Sequence, residues 1–276
     1  MSLLDIDEGK CRRDGICVAV CPPRIIELND GSPVPTLAAN AEERCISCGQ
    51  CVAACPEGAL SRLLMRPEDC PPARPDLALG AEQVEYLLRS RRSVRAYKEG
   101  QVEHDTLAKL IDIAHYAPTG TNSQNVRWIA INSRVQVRAL AGSVIDLMRD
   151  LIRVEHPAAA RLGAASLVES WEAGVDIIAR GAPALVVAYT PQVDPLLYPV
   201  DPIIALSFLD VAAPALGLGT CWAGFFMAAI SQWQPLREAL ELPDGKTSLG
   251  AMLVGYPRYR YHRLPPRNQP QVDWRE

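Results

Sequence analysis

The chain has no surplus of basic charge. Lys and Arg total 28 against 32 Asp and Glu, a formal net charge of −4, which argues against nucleic-acid binding as a main role. The opening residues, M-S-L-L-D-I-D-E-G-K, are acidic and hold no apolar signal-peptide core. Uninterrupted apolar runs of membrane-spanning length are absent too. The nearest candidate, Ile203 to Ile230, is broken by Asp210, Pro214, Gly217 and Gly219, so it reads as a buried helix ending at the glycines, and no membrane partner is expected. Histidine is scarce: His104, His115, His156 and His262 are the 4 present, and none has metal-ligand spacing to another. What remains is a 276-residue chain, 49% hydrophobic and 22% charged, an ordinary globular balance with enough length for two domains and a sizeable core.

Cysteine, by contrast, is not scarce. Of 9 cysteines, Cys11, Cys17, Cys21, Cys45, Cys48, Cys51 and Cys55 fall before residue 56. The chain is too long and these residues too clustered for a secreted disulfide scaffold. Cys45 to Pro56 reads C-I-S-C-G-Q-C-V-A-A-C-P, a C-x2-C-x2-C-x3-C-P run. Such short gaps curl the backbone around a compact object and turn thiolates inward, as a bacterial-type ferredoxin does around a [4Fe–4S] cluster. Structural zinc needs only two C-x2-C pairs. Cluster ligands are free thiolates, which points to a reducing, cytoplasmic compartment.

A shift of 34 residues overlays the N-terminal segment on itself: Cys11 on Cys45, Gly15 on Gly49, Cys17 on Cys51, Cys21 on Cys55 and Pro22 on Pro56. Two such halves make a two-cluster ferredoxin, in which the fourth cysteine of each run crosses to the other cluster. One cluster is then held by Cys45, Cys48, Cys51 and Cys21. The other takes Cys11, Cys17 and Cys55, plus whatever stands at position 14. That residue is Asp14, where the repeat has Cys48. Three readings stay open. Asp14 ligates the fourth iron through a harder carboxylate oxygen; or the site loses that iron and holds [3Fe–4S]; or Asp14 only makes the turn before Gly15.

Residues Ile25 to Glu43 read as short hairpin strands, which ends this domain near Leu64. Pro67, Pro71, Pro72 and Pro75 make residues 65–80 an extended linker. Cys70 sits within it as an unligated thiol. From residue 81 to 276 the pattern changes. Ala81–Arg91 and His104–Ala117 have helical periodicity, Val126–Asn132 reads as a strand, and the apolar run Pro183–Thr190 as a central strand. Asp146–Asp176 reads as a helical lid region. Arg91, Arg92, Ser93 and Arg95 put three guanidinium groups and a hydroxyl into five residues, a composition suited to gripping phosphate. The turn Ala117 to Asn125 is rich in amides and hydroxyls, which suit the polar edge of a flat heterocycle. Gly217-Leu218-Gly219 lacks the third glycine of a dinucleotide fingerprint and follows a helix, which excludes a Rossmann site. Cys221 has no neighbouring base in sequence and reads as a small buried residue.

R-R-S-V-R-A-Y, the A-P-T-x-x-N-x-Q turn, G-L-G-T-C-W-A-G and G-Y-P followed by R-L-P together resemble the FMN-dependent nitroreductase family over residues ~85–267. With the cluster domain in front, the whole resembles ferredoxin–nitroreductase fusions. The resemblance implies an α+β protein: a small two-cluster ferredoxin-like domain, then a mixed sheet sandwiched by helices. It implies a homodimer with FMN at the subunit interface. Arg91, Arg92, Ser93 and Arg95 match the family's phosphate and ribityl grip. Asn122 and Gln124 match residues at the isoalloxazine edge, Ala223 and Gly224 a backbone turn against the ring, and Arg263 a cation that closes on the phosphate. Asn125-Val126 stand where many members have Pro-Trp. No residue stands out as a catalytic acid; the family leaves the chemistry to the flavin. The implied activity passes electrons from a one-electron donor through two iron–sulfur clusters to FMN. A two-electron reduction of a nitro compound, quinone, enone or flavin follows, with NAD(P)H as an alternative donor. The competing class is a redox sensor or electron carrier without a dedicated substrate.

Overall fold

The computed structural model describes residues 3–62, 65–190, 200–243 and 248–275. It divides into two compact units, Met1–Leu79 with Thr121–Ser123, and Gly80–Gly120 with Gln124–Glu276. The expected boundary at Leu64 lies outside the described residues; the proline-rich segment that follows packs with the first unit and forms two single 3-10 turns, Pro67–Asp69 and Pro75–Leu77.

The first unit is built from β1 (Asp5–Ile6), α1 (Ile16–Ala19), β2 (Ile26–Glu27), β3 (Thr36–Leu37), α2 (Ala41–Arg44), α3 (Gln50–Ala53) and β4 (Leu60–Ser61). Two antiparallel ribbons, β1–β4 and β2–β3, frame it. The sequence repeat is carried into the backbone. α1 and α3 stand 34 positions apart, and so do three pairs of residues with positive φ: Arg13 and Ser47 (57° and 58°), Gly15 and Gly49 (74° and 69°), Arg24 and Gly58 (50° and 58°). Left-handed residues ahead of each short helix fold the chain back sharply, which is how a run of closely spaced cysteines can face inward. A small core of Leu3, Leu4, Cys17, Ile25, Ile26, Ala41, Val52 and Leu60 closes the unit.

The second unit begins with α4 (Ala81–Ser90) and α5 (His104–Ala114), then β5 (Arg127–Ile131), α6 (Arg134–Arg153), α7 (Pro157–Leu162) and α8 (Ala164–Glu172). It continues with β6 (Ala184–Thr190), α9 (Asp201–Ala212), β7 (Gly219–Trp222), α10 (Gly224–Ile230), α11 (Gln234–Ala239) and β8 (Ser248–Gly255). Strand order is β5-β6-β8-β7, with every ladder antiparallel. The parallel component is a single bridge, Ser93 to Thr220, beside β7.

Helices cover both faces of this sheet, and the period of two along each strand assigns side chains between them. Leu185 and Val187 of β6, with Ala251 and Leu253 of β8, join α6, α8, α10 and α11 in one core. Ala184, Val186 and Ala188, with Met252 and Val254, join α5 and α9 in the other. Because both faces are covered, β6 is apolar at nearly every position, although its neighbours run antiparallel. Gly250 lets α9 approach: a Cβ there would lie 2.6 Å from Leu206 Cδ1 and 2.9 Å from Ile203 Cδ1. Residues 146–176, expected as a lid, are instead a packed layer; Met148 and Ala164 are fully buried. α4 differs from the rest. It has no buried residue, and Val84, Tyr86 and Leu88 remain exposed.

Candidate functional site

In the first unit, Cys21, Cys45, Cys48 and Cys51 line one cavity with Leu4, Ile25, Ile26 and Ile46. These are the four thiols that the crossed repeat groups together. Burial pushes the Cys51 thiol up, and the charges of Cys48 and Cys21 push it in the same direction. Cys17 is likewise raised, first by burial and then by the nearby Asp14, Cys11 and Cys55. The second expected ligand set, Cys11, Asp14, Cys17 and Cys55, is thus also gathered. Among the described residues, no group of His, Cys, Asp and Glu is tight enough to hold a single metal ion. A cubane spreads its four ligands over a larger object, so thiols around a common cavity fit a cluster and not one ion. Gly49 makes room at the cavity wall: a Cβ there would meet Met65 Sδ at 2.5 Å. Ala59 N–H donates to Cys55 Sγ at 3.3 Å, and Asp14 Oδ1 accepts from Ile16 N–H at 3.0 Å.

In the second unit, three sequence motifs meet. Val94 N–H donates to Thr220 O, Lys98 N–H to Tyr256 O, and Arg258 N–H to Ala96 O, at 2.8, 2.8 and 2.9 Å. The glycines make this possible. A Cβ on Gly219 would sit 2.5 Å from Val94 Cγ2, and one on Gly255 would sit 2.6 Å from Pro183 Cδ and 2.7 Å from Tyr97 Cδ1. The arginine-rich segment is therefore sewn to the G-L-G-T and G-Y-P turns by backbone pairing that no larger residue would allow.

The expected cofactor residues fall into several places. Arg95, Ala223 and Gly224 line one cavity of about 310 Å³, with Trp222, Phe225 and Arg180. A Cβ on Gly224 would meet open space, so the wall there is bare backbone. Arg91 and Arg92 line a second cavity, of about 590 Å³. They also line a third, of about 420 Å³, together with Leu264, Pro265 and Arg267. Arg263 is exposed and lines none of these; Arg267 is the C-terminal arginine beside Arg91 and Arg92. Ser93 forms the parallel bridge to Thr220. Gln124 is exposed, with its N–H donating to Thr119 Oγ1 at 3.0 Å. Asn122 packs with the first unit, where Nδ2 donates to Ile46 O and Ser47 O at 3.2 and 3.1 Å.

Two acidic residues escaped sequence reasoning. Asp210 on α9 pairs with Arg91 at 3.4 Å and accepts from the Thr220 hydroxyl. Asp201, 2% exposed, accepts from Gly120 N–H at 3.2 Å through each carboxylate oxygen, anchoring the start of the amide-rich turn. Asp210 is a carboxylate inside an apolar helical run, and that mismatch was the available signal; Asp201 opens α9, where an acid is ordinary, and gave none. Arg92 Nε is buried with no acceptor, an unmet donor in the segment expected to grip phosphate. Bare backbone at Gly224 and the Arg95 guanidinium share one cavity and fit the edge of a planar heterocycle; the unmet donor at Arg92 lies on the other two.

A helix-sandwiched sheet with a cationic edge, in one chain with a four-thiol cradle, defines a redox protein that pairs iron–sulfur and organic cofactor chemistry. The chain belongs to the nitroreductase family: the family model matches residues 88–256, and a 4Fe-4S dicluster domain model matches residues 7–59. It is an FMN-dependent oxidoreductase by family, with a ferredoxin-like iron–sulfur domain. Among relatives, the FMN reductase [NAD(P)H] of Bacillus subtilis is 27% identical over 192 residues, 68% of this chain and 72% of that protein. A nitroreductase with bound FMN from Desulfitobacterium hafniense aligns with TM-score 0.55 at 19% identity, over 72% of this chain and all of that one. A nitroreductase with bound FMN from Bacteroides fragilis aligns with TM-score 0.54 at 20% identity, over 69% and 95%. The two structures speak to fold. No helix among the described residues is long and apolar enough to cross a membrane.

Proposed function

We propose that the protein takes electrons singly from a one-electron donor at its iron–sulfur clusters and uses FMN to complete the two-electron reduction of an organic acceptor. The acceptor class is a nitro compound, quinone, enone or flavin. The observation that carries this reading is the convergence of Cys21, Cys45, Cys48 and Cys51 on one apolar cavity, in a chain whose remainder is a nitroreductase. A nitroreductase fed only by a nicotinamide has no need of such a cradle. NAD(P)H remains a second donor, as the name of the Bacillus subtilis relative implies for that protein.

When bound, the clusters supply one-electron transfer at potentials that reach very negative values, and FMN supplies the change from one-electron to two-electron chemistry. The protein's own work is placement and exclusion. Cys21, Cys45, Cys48 and Cys51 would hold one cluster; Cys11, Cys17 and Cys55, with Asp14 as the candidate fourth donor, would hold the other. Asp14 Oδ1 accepts from Ile16 N–H, a bond that also makes the turn before Gly15. Arg91, Arg92, Ser93 and Arg95 grip the FMN phosphate and polar edge, with Arg263 or Arg267 closing from the C-terminal arm. Ala223 and Gly224 offer backbone to the ring, and Gln124 an amide partner; the Asn122 amide is engaged within the first unit. The uncovered apolar face of α4, where Leu88 is 55% and Val84 39% exposed, supports a second copy of the chain as partner. The 9 cysteines are all unpaired thiols, which suits the reducing cytoplasm.

Anaerobically purified holoprotein, reduced with dithionite and mixed with nitroaromatics or quinones, should return its flavin to the oxidised state faster than a solvent control. If no acceptor does so, the enzyme reading fails and the electron-carrier reading stands.

A further inference from the structure

One position that breaks the 34-residue repeat lies on the wall of a thiol cavity. β2 (Ile26–Glu27) overlays β4 (Leu60–Ser61), so the residue after each strand is Leu28 in one half and Arg62 in the other. Arg62 lines the cavity of Cys21, Cys45, Cys48 and Cys51. Besides those thiols, the rest of the wall is Leu, Ile, Pro, Gly and Gln, so Arg62 is its single charged side chain. The ion pairs of this unit among the described residues are Lys10–Asp7, Arg12–Glu57 and Arg74–Asp76, and Arg62 is in none of them. A guanidinium does not shed its proton in a protein. An unpaired cation on an apolar wall is costly unless a counter-charge sits beside it.

The guanidinium is held in place. Arg62 N–H donates to Met65 O and Met65 N–H to Arg62 O, at 2.8 and 2.6 Å, in an antiparallel bridge. Arg62 Nη2 donates to Ser47 Oγ, and Ser47 stands between Cys45 and Cys48 with a φ of 58°. Asn122 Nδ2 secures the same loop through Ile46 O and Ser47 O. Arg62 Nε, by contrast, is buried and has no hydrogen-bond partner. Buried donors are nearly always paired, so one left free on a cavity wall marks a place for an acceptor. The other half of the repeat differs in kind. Ser47 overlays Arg13, whose Nη2 is spent on Asn29 O at 3.2 Å, and Cys48 overlays Asp14, an acid.

We propose that Arg62 raises the reduction potential of the cluster at Cys21, Cys45, Cys48 and Cys51, as a counter-charge and through the donor that Nε leaves unmet, a role that rests on the cluster reading of this cavity. Four thiolates make the loaded site an anion, and reduction adds one more negative charge. A fixed cation on the wall therefore favours the reduced form over the oxidised one. The electron comes from the one-electron donor, and no bond forms or breaks. Tying Ser47 to the strand end needs only one neutral donor; a guanidinium on a thiol cavity supplies charge as well. With Leu28 at the matching position, the repeat gives this device to one cluster and not to its pair.

The test is a redox titration of FMN-replete, anaerobically prepared protein, followed by low-temperature electron paramagnetic resonance, with iron and sulfide measured on every variant. Arg62→Gln should make reduction of one cluster about tenfold less favourable, a fall of about 59 mV for one electron, and leave the other midpoint in place. Arg62→Lys keeps the charge and should fall by less than half as much. Ser47→Ala frees the guanidinium and should lower the same midpoint by a smaller step than Arg62→Gln. If Arg62→Gln loses iron, Ser47→Ala carries the test in its place. Three results would overturn the proposal: midpoints unchanged in the iron-replete variant, both midpoints falling together, or Arg62→Lys falling as far as Arg62→Gln, which would leave the arginine a structural tie only. Wild-type protein that holds neither iron nor sulfide would instead sink the cluster reading itself.

Discussion

Replacing Asp210 with alanine should destabilise the second unit by about 3 kcal/mol. The carboxylate lies 3.4 Å from Arg91, with the two side chains 8% and 25% exposed, and it also accepts the Thr220 hydroxyl. At an effective dielectric constant of about 20, unit charges at that separation attract by about 5 kcal/mol. Desolvation of a nearly buried carboxylate offsets part of this, and the quarter of Arg91 still in water screens more of it. Removing one partner from such a pair costs about 3–5 kcal/mol, because the other is left uncompensated; Arg91's remaining exposure places the value at the lower end. Asp210→Asn keeps the shape and an acceptor for Thr220, so it should cost only about 1–2 kcal/mol. The assay is urea unfolding followed by circular dichroism, with the slope in denaturant unchanged. Arg91→Ala and the double variant complete a cycle whose coupling should be about 1–3 kcal/mol. An Asp210→Ala protein within about 0.5 kcal/mol of wild type would refute the reasoning.

Gly255→Ala should cost about 1–3 kcal/mol by overpacking, since the new methyl would press on the rigid rings of Pro183 and Tyr97; thermal unfolding checks it, and an unchanged midpoint would contradict it. Tyr97 is 6% exposed, its hydroxyl donates to Val94 O, and burial pushes its phenol well above the ordinary value near 10. The folded state keeps this proton when the unfolded chain loses it. Its contribution is therefore complete below about pH 10 and is lost above it, by about 1.4 kcal/mol per pH unit. Tyr97→Phe should abolish that share of the alkaline slope in urea unfolding; an identical slope in both proteins would count against it. Asp201→Ala leaves the half-buried Gly120 N–H without its acceptor and should cost about 1 kcal/mol. It should also weaken FMN binding through the turn it anchors, measured by fluorescence quenching, with unchanged stability as the contrary result.

The first unit was largely legible in its sequence. The 34-residue overlay placed Cys21 with Cys45, Cys48 and Cys51, and these four thiols line one cavity. β6 and α9 were legible as well, because long apolar runs bounded by Gly and Pro have few other readings. The helical segment 146–176 was misread as a lid: amphipathic periodicity says that a face is buried, but not against what. The site in the second unit was legible as motifs and not as a constellation. Arg91, Arg92 and Arg95 are neighbours in sequence, yet their side chains line different cavities. Gly219 and Gly255 were recognised as motif letters, and only packing against Val94, Pro183 and Tyr97 gives them a reason. Asp210 looked like a break in an apolar run because its partners, Arg91 and Thr220, are distant in sequence.

The central claim is that the clusters feed the flavin. Anaerobic rapid mixing of the holoprotein with a reduced low-potential one-electron donor, followed in the flavin's visible absorbance, tests it against Cys45→Ala, which removes a cluster ligand. Iron and FMN are quantified on both proteins, and low-temperature electron paramagnetic resonance reports which clusters each one holds. The account predicts rapid flavin reduction in the wild type and loss of it in the FMN-replete variant. Equal rates in the two proteins would contradict it.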